Sequence, residues 1–172
     1  MRKITLLALI LAATSVQAKT YFTPEQALKL MFPSTAFTSN PVKLTSEQQK
    51  KMTDASSVKF PFDGSQIWKG ADNSWFVVDQ VVGKHEFITY AIGINPNGEI
   101  KDIEILEYNE SYGYQVKEKD WLKQFYGKTS SNSFKLNHEI DNISGATLSC
   151  KHLADGVKRV MVMYELALKG QK

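Results

Sequence analysis

The clearest pattern in the sequence is a run of apolar residues that recur at steps of three and four near the C-terminal end. These residues are Leu153, Val157, Val160, Met161, Tyr164 and Leu168. Residues three and four apart lie on the same face of an α-helix. Gly170 follows at a position where helices commonly end. The pattern predicts an amphipathic helix that packs against the rest of the domain.

Alternating and continuous apolar residues between positions 65 and 107 predict β-strands. Their ranges are 66–69, 74–82, 85–94 and 99–107. Gly83 and Lys84 predict a two-residue hairpin turn, and residues 95–98 predict a tight loop that ends in a glycine with positive φ. The isoleucines of the last strand break strict alternation, so this strand either contains a bulge or is buried on both faces. Such short links favour an antiparallel meander.

Short helices flank the predicted meander. Residues 23–26 combine a hydroxyl N-cap, proline and glutamine, which predicts a helix that ends at Pro33. Residues 46–49 repeat the capping pattern, with Ser46 as the N-cap, before a polar surface helix that runs to about residue 54. Residues 121–125 predict one helical turn with its aromatic side chains on one face. Helices, then a meander, then a helix indicate an α+β domain.

The first 18 residues differ from the rest. Two basic residues precede an apolar run at 4–13, and the segment ends in Val16, Gln17 and Ala18. This is the pattern of a secretory signal peptide. The apolar run is too short for a membrane anchor, because a membrane span needs about 20 apolar residues. We predict cleavage after Ala18, a single mature domain over residues 19–172, and a periplasmic location.

Composition and charge exclude several functions. The chain has 42% hydrophobic and 23% charged residues, which is typical of a globular protein. Its net charge of +3 falls to +1 when the two basic residues of the signal are removed, and no basic stripe indicates nucleic-acid binding. Cys150 is the only cysteine, so we predict no disulfide and no cysteine-based zinc site. The three histidines lack metal-ligand spacing, and no catalytic triad or carboxylate pair is recognisable.

Residues 141–149, just before the predicted C-terminal helix, form a polar turn that presents a hydroxyl at a helix N-terminus. Gly145 permits a bend or a close approach, Ala146 keeps its position small, and Thr147 places an oxygen near unpaired N–H groups. An anion is stabilised at such a place. The alternative is a simple turn in which Thr147 or Ser149 is an ordinary N-cap.

This segment, Asp-x-x-Ser-Gly-Ala-Thr-x-Ser, resembles the attachment signature of the FMN-binding domain family. The family includes the flavin-carrying subunits of sodium-translocating NADH:quinone reductase and of Rnf-type complexes. The resemblance implies that a flavin transferase takes FMN from FAD and joins its phosphate to Thr147 as a phosphodiester. It also implies cofactor-binding roles for the other motif residues, which are Asp141, Ser144, Gly145, Ala146 and Leu148.

Weaker upstream matches extend the resemblance to about residues 66–165. The family's glycine-containing turn, its Glu-Thr-Pro-Gly-like loop and its Trp-x-x-x-Phe segment are similar to residues 97–106, 110–113 and 121–125. The resemblance therefore implies that Glu110 and Trp121 lie near the flavin. Glu110 either hydrogen-bonds the cofactor or caps a loop, and Trp121 either borders the flavin or anchors the core.

This chain departs from the family pattern at several positions. Ser144 stands where threonine is more usual, Ser111 and Tyr112 stand where Thr-Pro is common, and Tyr114 stands where a smaller residue is often found. Tyr112 or Tyr114 either stacks on the flavin ring or packs at the sheet edge. Cys150 lies in the first helical turn, where its thiol has a lowered pKa or is an inert packing group.

The resemblance predicts an exported electron-transfer flavoprotein that carries covalent FMN, matured by a flavin transferase. Its redox donor and acceptor would be membrane or periplasmic electron-transfer proteins. Two alternatives remain: a small periplasmic flavin-dependent reductase, and a colourless binding module in which the motif is only a helix N-cap.

Overall fold

A computed structural model of the chain describes residues 19–110 and 113–171. The predicted signal peptide, Ser111, Tyr112 and Lys172 lie outside this part, so cleavage after Ala18 stays a prediction. Within the described ranges, no helix is both long enough and apolar enough to cross a membrane.

An antiparallel sheet of six strands forms the centre of the domain. The strands are β1 (Lys19–Thr20), β2 (Phe37–Ser39), β3 (Ile67–Gly70), β4 (Trp75–Val82), β5 (Phe87–Ile94) and β6 (Ile100–Tyr108). Their order across the sheet is β1-β6-β5-β4-β3-β2, so β3 to β6 form the predicted meander. The sequence did not predict the edge strands β1 and β2, because two or three residues are too short to show a period.

Strand β6 contains both features that its sequence left open. Tyr90 pairs with Ile105 while Thr89 pairs with Glu107, so Leu106 is an extra residue on β6. A second irregularity lies near the start of the strand, between the partners of Gly93 and Ile94. Residues 103–106 are nevertheless all buried, which shows that β6 is bulged and also covered on both faces.

The helices cover both faces of the sheet. They are α1 (Pro24–Met31), α2 (Ser46–Ser56), α3 (Lys119–Leu122) and α4 (Thr147–Met163), and α4 continues as a π-helical turn over Tyr164–Leu168. Helix α4 packs on β4 and α2, while α1 packs on β5 and β6 from the other side. The predicted α+β fold, a meander against a C-terminal helix with short N-terminal helices, is confirmed.

Capping boxes begin the two N-terminal helices. Thr23 and Gln26 exchange side-chain and backbone hydrogen bonds as predicted. For α2 the predicted N-cap Ser46 is wrong, because Thr45 is the cap and pairs with Gln48. Gln49, which Ser46 would have used, instead bonds the backbone N–H and carbonyl of Phe62 at 3.0 and 2.9 Å. A tertiary contact therefore decides between two locally equivalent caps.

The predicted two-residue hairpin at Gly83 and Lys84 is also wrong. Four residues, 83–86, connect β4 and β5, and the Gly83 N–H donates to the Glu86 carbonyl at 2.8 Å. The carboxylate of Glu110 accepts from the N–H groups of His85 and Glu86 at 2.5 and 3.0 Å. These bonds stabilise the longer loop. Local turn propensity cannot predict them, because Glu110 is distant in sequence.

An ion pair lies inside the core between α4 and β4. Arg159, which is 1% exposed, donates to both carboxylate oxygens of Asp79 at 2.7 Å and to the Gln80 carbonyl at 2.8 Å. The Tyr90 hydroxyl donates to the same carboxylate at 2.7 Å, and the Phe60 ring lies 4.6 Å from the guanidinium. The charges are paired and hydrogen-bonded, as buried charges must be.

Candidate functional site

A tight turn places the start of α4 at the protein surface. The Ala146 N–H donates to the Ile143 carbonyl at 2.9 Å, and Gly145 has a φ of +83°. Glycine adopts this left-handed conformation without steric cost, so the predicted bend at Gly145 is present. The Cys150 N–H then makes the first helical bond to the Ala146 carbonyl at 2.9 Å.

Thr147 is the first residue of α4 and its side chain is exposed. Ala146 is the N-cap and provides no side-chain hydrogen bond, so the interpretation of Thr147 as an ordinary N-cap is wrong. Ser149 is not the cap either: it is buried in the first helical turn, and its hydroxyl accepts from the Tyr108 hydroxyl at 3.4 Å. The Thr147 hydroxyl instead accepts a hydrogen bond from the Asn142 side-chain amide at 3.0 Å.

A cavity of about 220 Å³ opens directly over this helix terminus. Its lining residues are Lys84, Glu110, Gly145, Ala146, Thr147, Leu148 and Ser149. Five of the eight predicted site residues therefore lie together around one cavity. The N–H groups of residues 147–149 have no carbonyl partner within the helix, and they make this end of the cavity favourable for an anion. Sequence reasoning missed Lys84, which adds a positive charge.

Glu110 lies at the cavity edge and also caps the loop at residues 83–86. Burial alone would raise the pKa of Glu110, but the N–H groups of His85, Glu86 and Lys84 outweigh burial and lower this pKa. The carboxylate is therefore ionised at neutral pH, with one oxygen already committed to the loop. The structure assigns Glu110 the loop-capping role that the sequence offered as one alternative, and it places this cap at the site.

Trp121 and Asp141 lie beside the site but do not line the cavity. Trp121 is 7% exposed and packs edge-on against Phe125, with ring centroids 5.3 Å apart. Its indole N–H donates to the Asp141 carbonyl at 2.7 Å, and the Asp141 N–H donates to the Gln124 side chain at 2.6 Å. Trp121 thus anchors the core and fixes the backbone from which the motif begins.

The remaining predicted residues occupy the rim. Ser144 is exposed in the turn, and Leu148 is 44% exposed beside the cavity. Tyr114 is exposed and does not line the cavity, while Lys117 lies over its ring. Tyr112 falls outside the described residues.

Two small residues let the segment after β6 pack on the helix N-terminus. Gly113 has a φ of +78°, and a Cβ at this position would lie 3.0 Å from the Ala146 Cβ and 3.0 Å from the Tyr108 hydroxyl. A side chain at 113 would therefore crowd the N-cap Ala146 and the Tyr108 hydroxyl, and its positive φ would be strained. The small side chain of Ala146, noted from the sequence, permits the close approach of Gly113.

Cys150 is fully buried, and burial raises the pKa of its thiol. The expectation of a lowered pKa at a helix N-terminus is wrong, because desolvation outweighs the local hydrogen bonds to backbone N–H groups. Cys150 is the inert packing residue that the sequence offered as the alternative.

Residues 83–162 match the family model of the FMN-binding domain. The matched region contains the cavity, the turn and the whole of α4. This part of the chain is an FMN-binding domain. A search of curated proteins found no match to the chain.

The cavity of the FMN-binding domain fits the phosphate end of its cofactor. It combines free N–H groups at a helix N-terminus, a lysine and an exposed hydroxyl. An added Cβ at Gly145 would meet no heavy atom within 4 Å, so the turn leaves open space for a ligand. Thr147, the helix terminus and Lys84 are therefore the residues that would hold the phosphate.

Proposed function

We propose that the FMN-binding domain carries FMN covalently, through a phosphodiester at Thr147 Oγ1, and that the protein is an exported electron carrier. The observation that carries this proposal is the exposed Thr147 hydroxyl, which lies at a helix N-terminus on the wall of the cavity. The match to the FMN-binding domain and the motif around Thr147 support the same linkage. When bound, FMN supplies the redox chemistry, and the protein supplies its position and electrostatic environment.

The electrostatics of the site suit a phosphodiester, which keeps one negative charge. The unpaired N–H groups of the first turn of α4 point toward that charge, and interaction with the helix dipole contributes about 0.3–1 kcal/mol. Lys84 also lines the cavity, on the loop that Glu110 caps. Glu110 itself is held by backbone N–H groups, which offset its repulsion of the phosphate.

Attachment requires a separate transferase because the described part of the domain offers the Thr147 hydroxyl no general base. Among the described residues, the hydroxyl has a single hydrogen-bond partner, the Asn142 amide, which is not a base. An unactivated hydroxyl is a poor nucleophile. We propose that a flavin transferase supplies the base, and that it acts after export directed by residues 1–18.

Covalent attachment is consistent with export. A cofactor that dissociated outside the cytoplasm could not be replaced from the cytoplasmic pool, and a phosphodiester prevents this loss. Among the described residues, no cluster of three histidine, cysteine, aspartate or glutamate side chains could hold a metal ion. In this proposal the flavin performs the redox role, and its donor and acceptor proteins dock near the cavity.

One mass measurement tests export and attachment together. We expect protein co-produced with a flavin transferase and exported to lose residues 1–18 and to gain the mass of one FMN less water. Its yellow absorbance should survive denaturation. Protein made in the cytosol without a transferase should be colourless and lack the added mass. Covalent loading of purified apoprotein by FAD and magnesium alone would contradict the need for a transferase, and an exported protein that never gains the mass would overturn the proposal.

The buried thiol gives a second test of the linkage. We expect Cys150→Ser to keep its denaturation-resistant flavin, because the thiol is fully buried and burial keeps it protonated. The buried hydroxyl would cost about 1–3 kcal/mol of folding free energy. Intact mass of this variant and of Thr147→Ser gives the answer. Loss of flavin from the Cys150 variant alone would move the linkage to sulfur.

A further inference from the structure

Asn142 makes an unusual contact with the attachment hydroxyl. Its side-chain Nδ2 donates to Thr147 Oγ1 at 3.0 Å, and this is the only side-chain hydrogen bond of Thr147 within the described residues. The other amide atom, Oδ1, is buried and has no partner within residues 19–110 and 113–171. A buried polar atom without a partner destabilises the fold, so the presence of Asn142 is better explained by a functional role than by stability.

The backbone on both sides of Asn142 is fixed. Trp121 and Gln124 bond the carbonyl and the N–H of the preceding residue, Asp141, at 2.7 and 2.6 Å. On the other side, the Ile143–Ala146 turn closes at 2.9 Å. The backbone of Asn142 is thus held in place by its neighbours, and its side-chain amide bonds the Thr147 hydroxyl from this fixed position.

We propose that Asn142 orients and polarises the Thr147 hydroxyl for flavin transfer, and so selects this hydroxyl among those of the motif. The inference rests on the proposed attachment at Thr147. Ser144, the other exposed hydroxyl of the turn, makes no side-chain hydrogen bond within the described part of the chain. Ser149 is buried and bonded to Tyr108. Only Thr147 combines exposure with a fixed donor on its oxygen.

The role of the amide follows from the chemistry of the transfer. Thr147 Oγ1 attacks the FMN phosphorus of FAD, the bond from that phosphorus to the oxygen bridging to AMP breaks, and AMP leaves with the bridging oxygen. The hydroxyl proton passes to a base on the transferase. As the proton leaves, negative charge develops on Oγ1, and the N–H of Asn142 stabilises it. The amide also selects one of three side-chain rotamers of Thr147, which leaves the hydroxyl proton free to point away from the protein.

The transfer rate of two Asn142 variants, one isosteric and one truncated, tests this role. Asn142→Asp keeps the shape and removes the donor, and Asn142→Ala removes both. Removal of one donor to a developing oxyanion lowers rates about 10²- to 10³-fold in enclosed sites. This site is open to solvent, so we expect about a tenfold fall in the turnover of transfer to either variant. KM should change little, because Asn142 is not proposed to bind the transferase.

Purified apoprotein, flavin transferase, FAD and magnesium are mixed, and the covalent product is followed by intact mass over time. Asn132→Asp is the control for the added charge, since it keeps the oxygen that accepts from the Thr129 N–H at 2.9 Å. It should load like wild type. Melting temperatures of all variants show whether the fold is kept.

The outcomes separate the two proposals. Wild-type turnover for both Asn142 variants, while wild type gains flavin, overturns the role of Asn142 and leaves attachment at Thr147 intact. Full turnover for the Asp variant with loss only for the Ala variant also overturns it, because shape alone would then suffice. Slower transfer to both purified Asn142 variants, with melting temperatures unchanged from wild type, supports the role. A wild type that gains no mass overturns both proposals.

Discussion

We expect Thr147→Ala to yield a folded protein that carries no covalent flavin. The substitution removes the only proposed attachment atom, so the loss should be complete and not graded. The fold should survive because Thr147 is exposed, is not the N-cap, and has one side-chain hydrogen bond, to Asn142. Alanine is the best helix former. The change in stability should therefore stay below about 1 kcal/mol, a melting shift under about 4 °C.

The measurement is the intact mass of wild type and variant, each co-produced with the transferase, together with visible absorbance after denaturation. Thr147→Ser is the matched control, because it keeps the hydroxyl and should still load. Masses of wild type and Thr147→Ala that differ only by the side chain would contradict attachment at Thr147.

The second large effect concerns the ion pair between α4 and β4. We expect Asp79→Ala to lower the free energy of unfolding by about 3–5 kcal/mol, because Arg159 would remain buried without its counter-charge. The Tyr90 hydroxyl would lose its acceptor as well. For a domain of this size, each kcal/mol lowers the melting temperature by about 2–4 °C. The variant should therefore melt well below wild type.

Denaturant unfolding tests this expectation on wild type, Asp79→Ala, Asp79→Leu, Arg159→Leu, the double leucine variant and the surface variant Asp54→Ala. The double variant Asp79→Leu/Arg159→Leu should lose less than the sum of the two single variants, since it leaves no isolated charge. Asp54→Ala breaks the exposed Lys50–Asp54 pair, whose side chains are 73% and 61% exposed, and serves as the surface control. It should cost no more than about 0.5 kcal/mol. Equal effects from the buried and surface variants would contradict the importance of the buried pair.

The sequence predicts those elements whose signals are local. The capping box of α1, the period of α4 and the meander from β3 to β6 all depend on residues close together in the chain. The cap of α2 and the loop at 83–86 depend instead on distant partners, Phe62 and Glu110. Local propensity cannot detect such contacts, which explains both errors.

The same distinction applies to the site. Thr147 and its neighbours form a continuous motif, so the sequence indicated them and the family match agrees. Lys84 lies far from the motif in sequence, and only the sheet brings its loop to the helix terminus. The hydrogen bond from Asn142 depends on the path of a turn, and the motif pattern does not specify this residue.

The strand order has a consequence for the order in which the domain can fold. The two strands nearest the N-terminus, β1 and β2, lie at opposite edges of the sheet and pair with β6 and β3. During synthesis the first of them has no strand partner until residues 107 and 108 have been made. Strands β2 to β5 can pair in chain order before then, so only β1 has to wait for the last strand. Closure of this edge joins the first residues of the described domain to the end of the meander, so it is the last strand pairing that the growing chain can make.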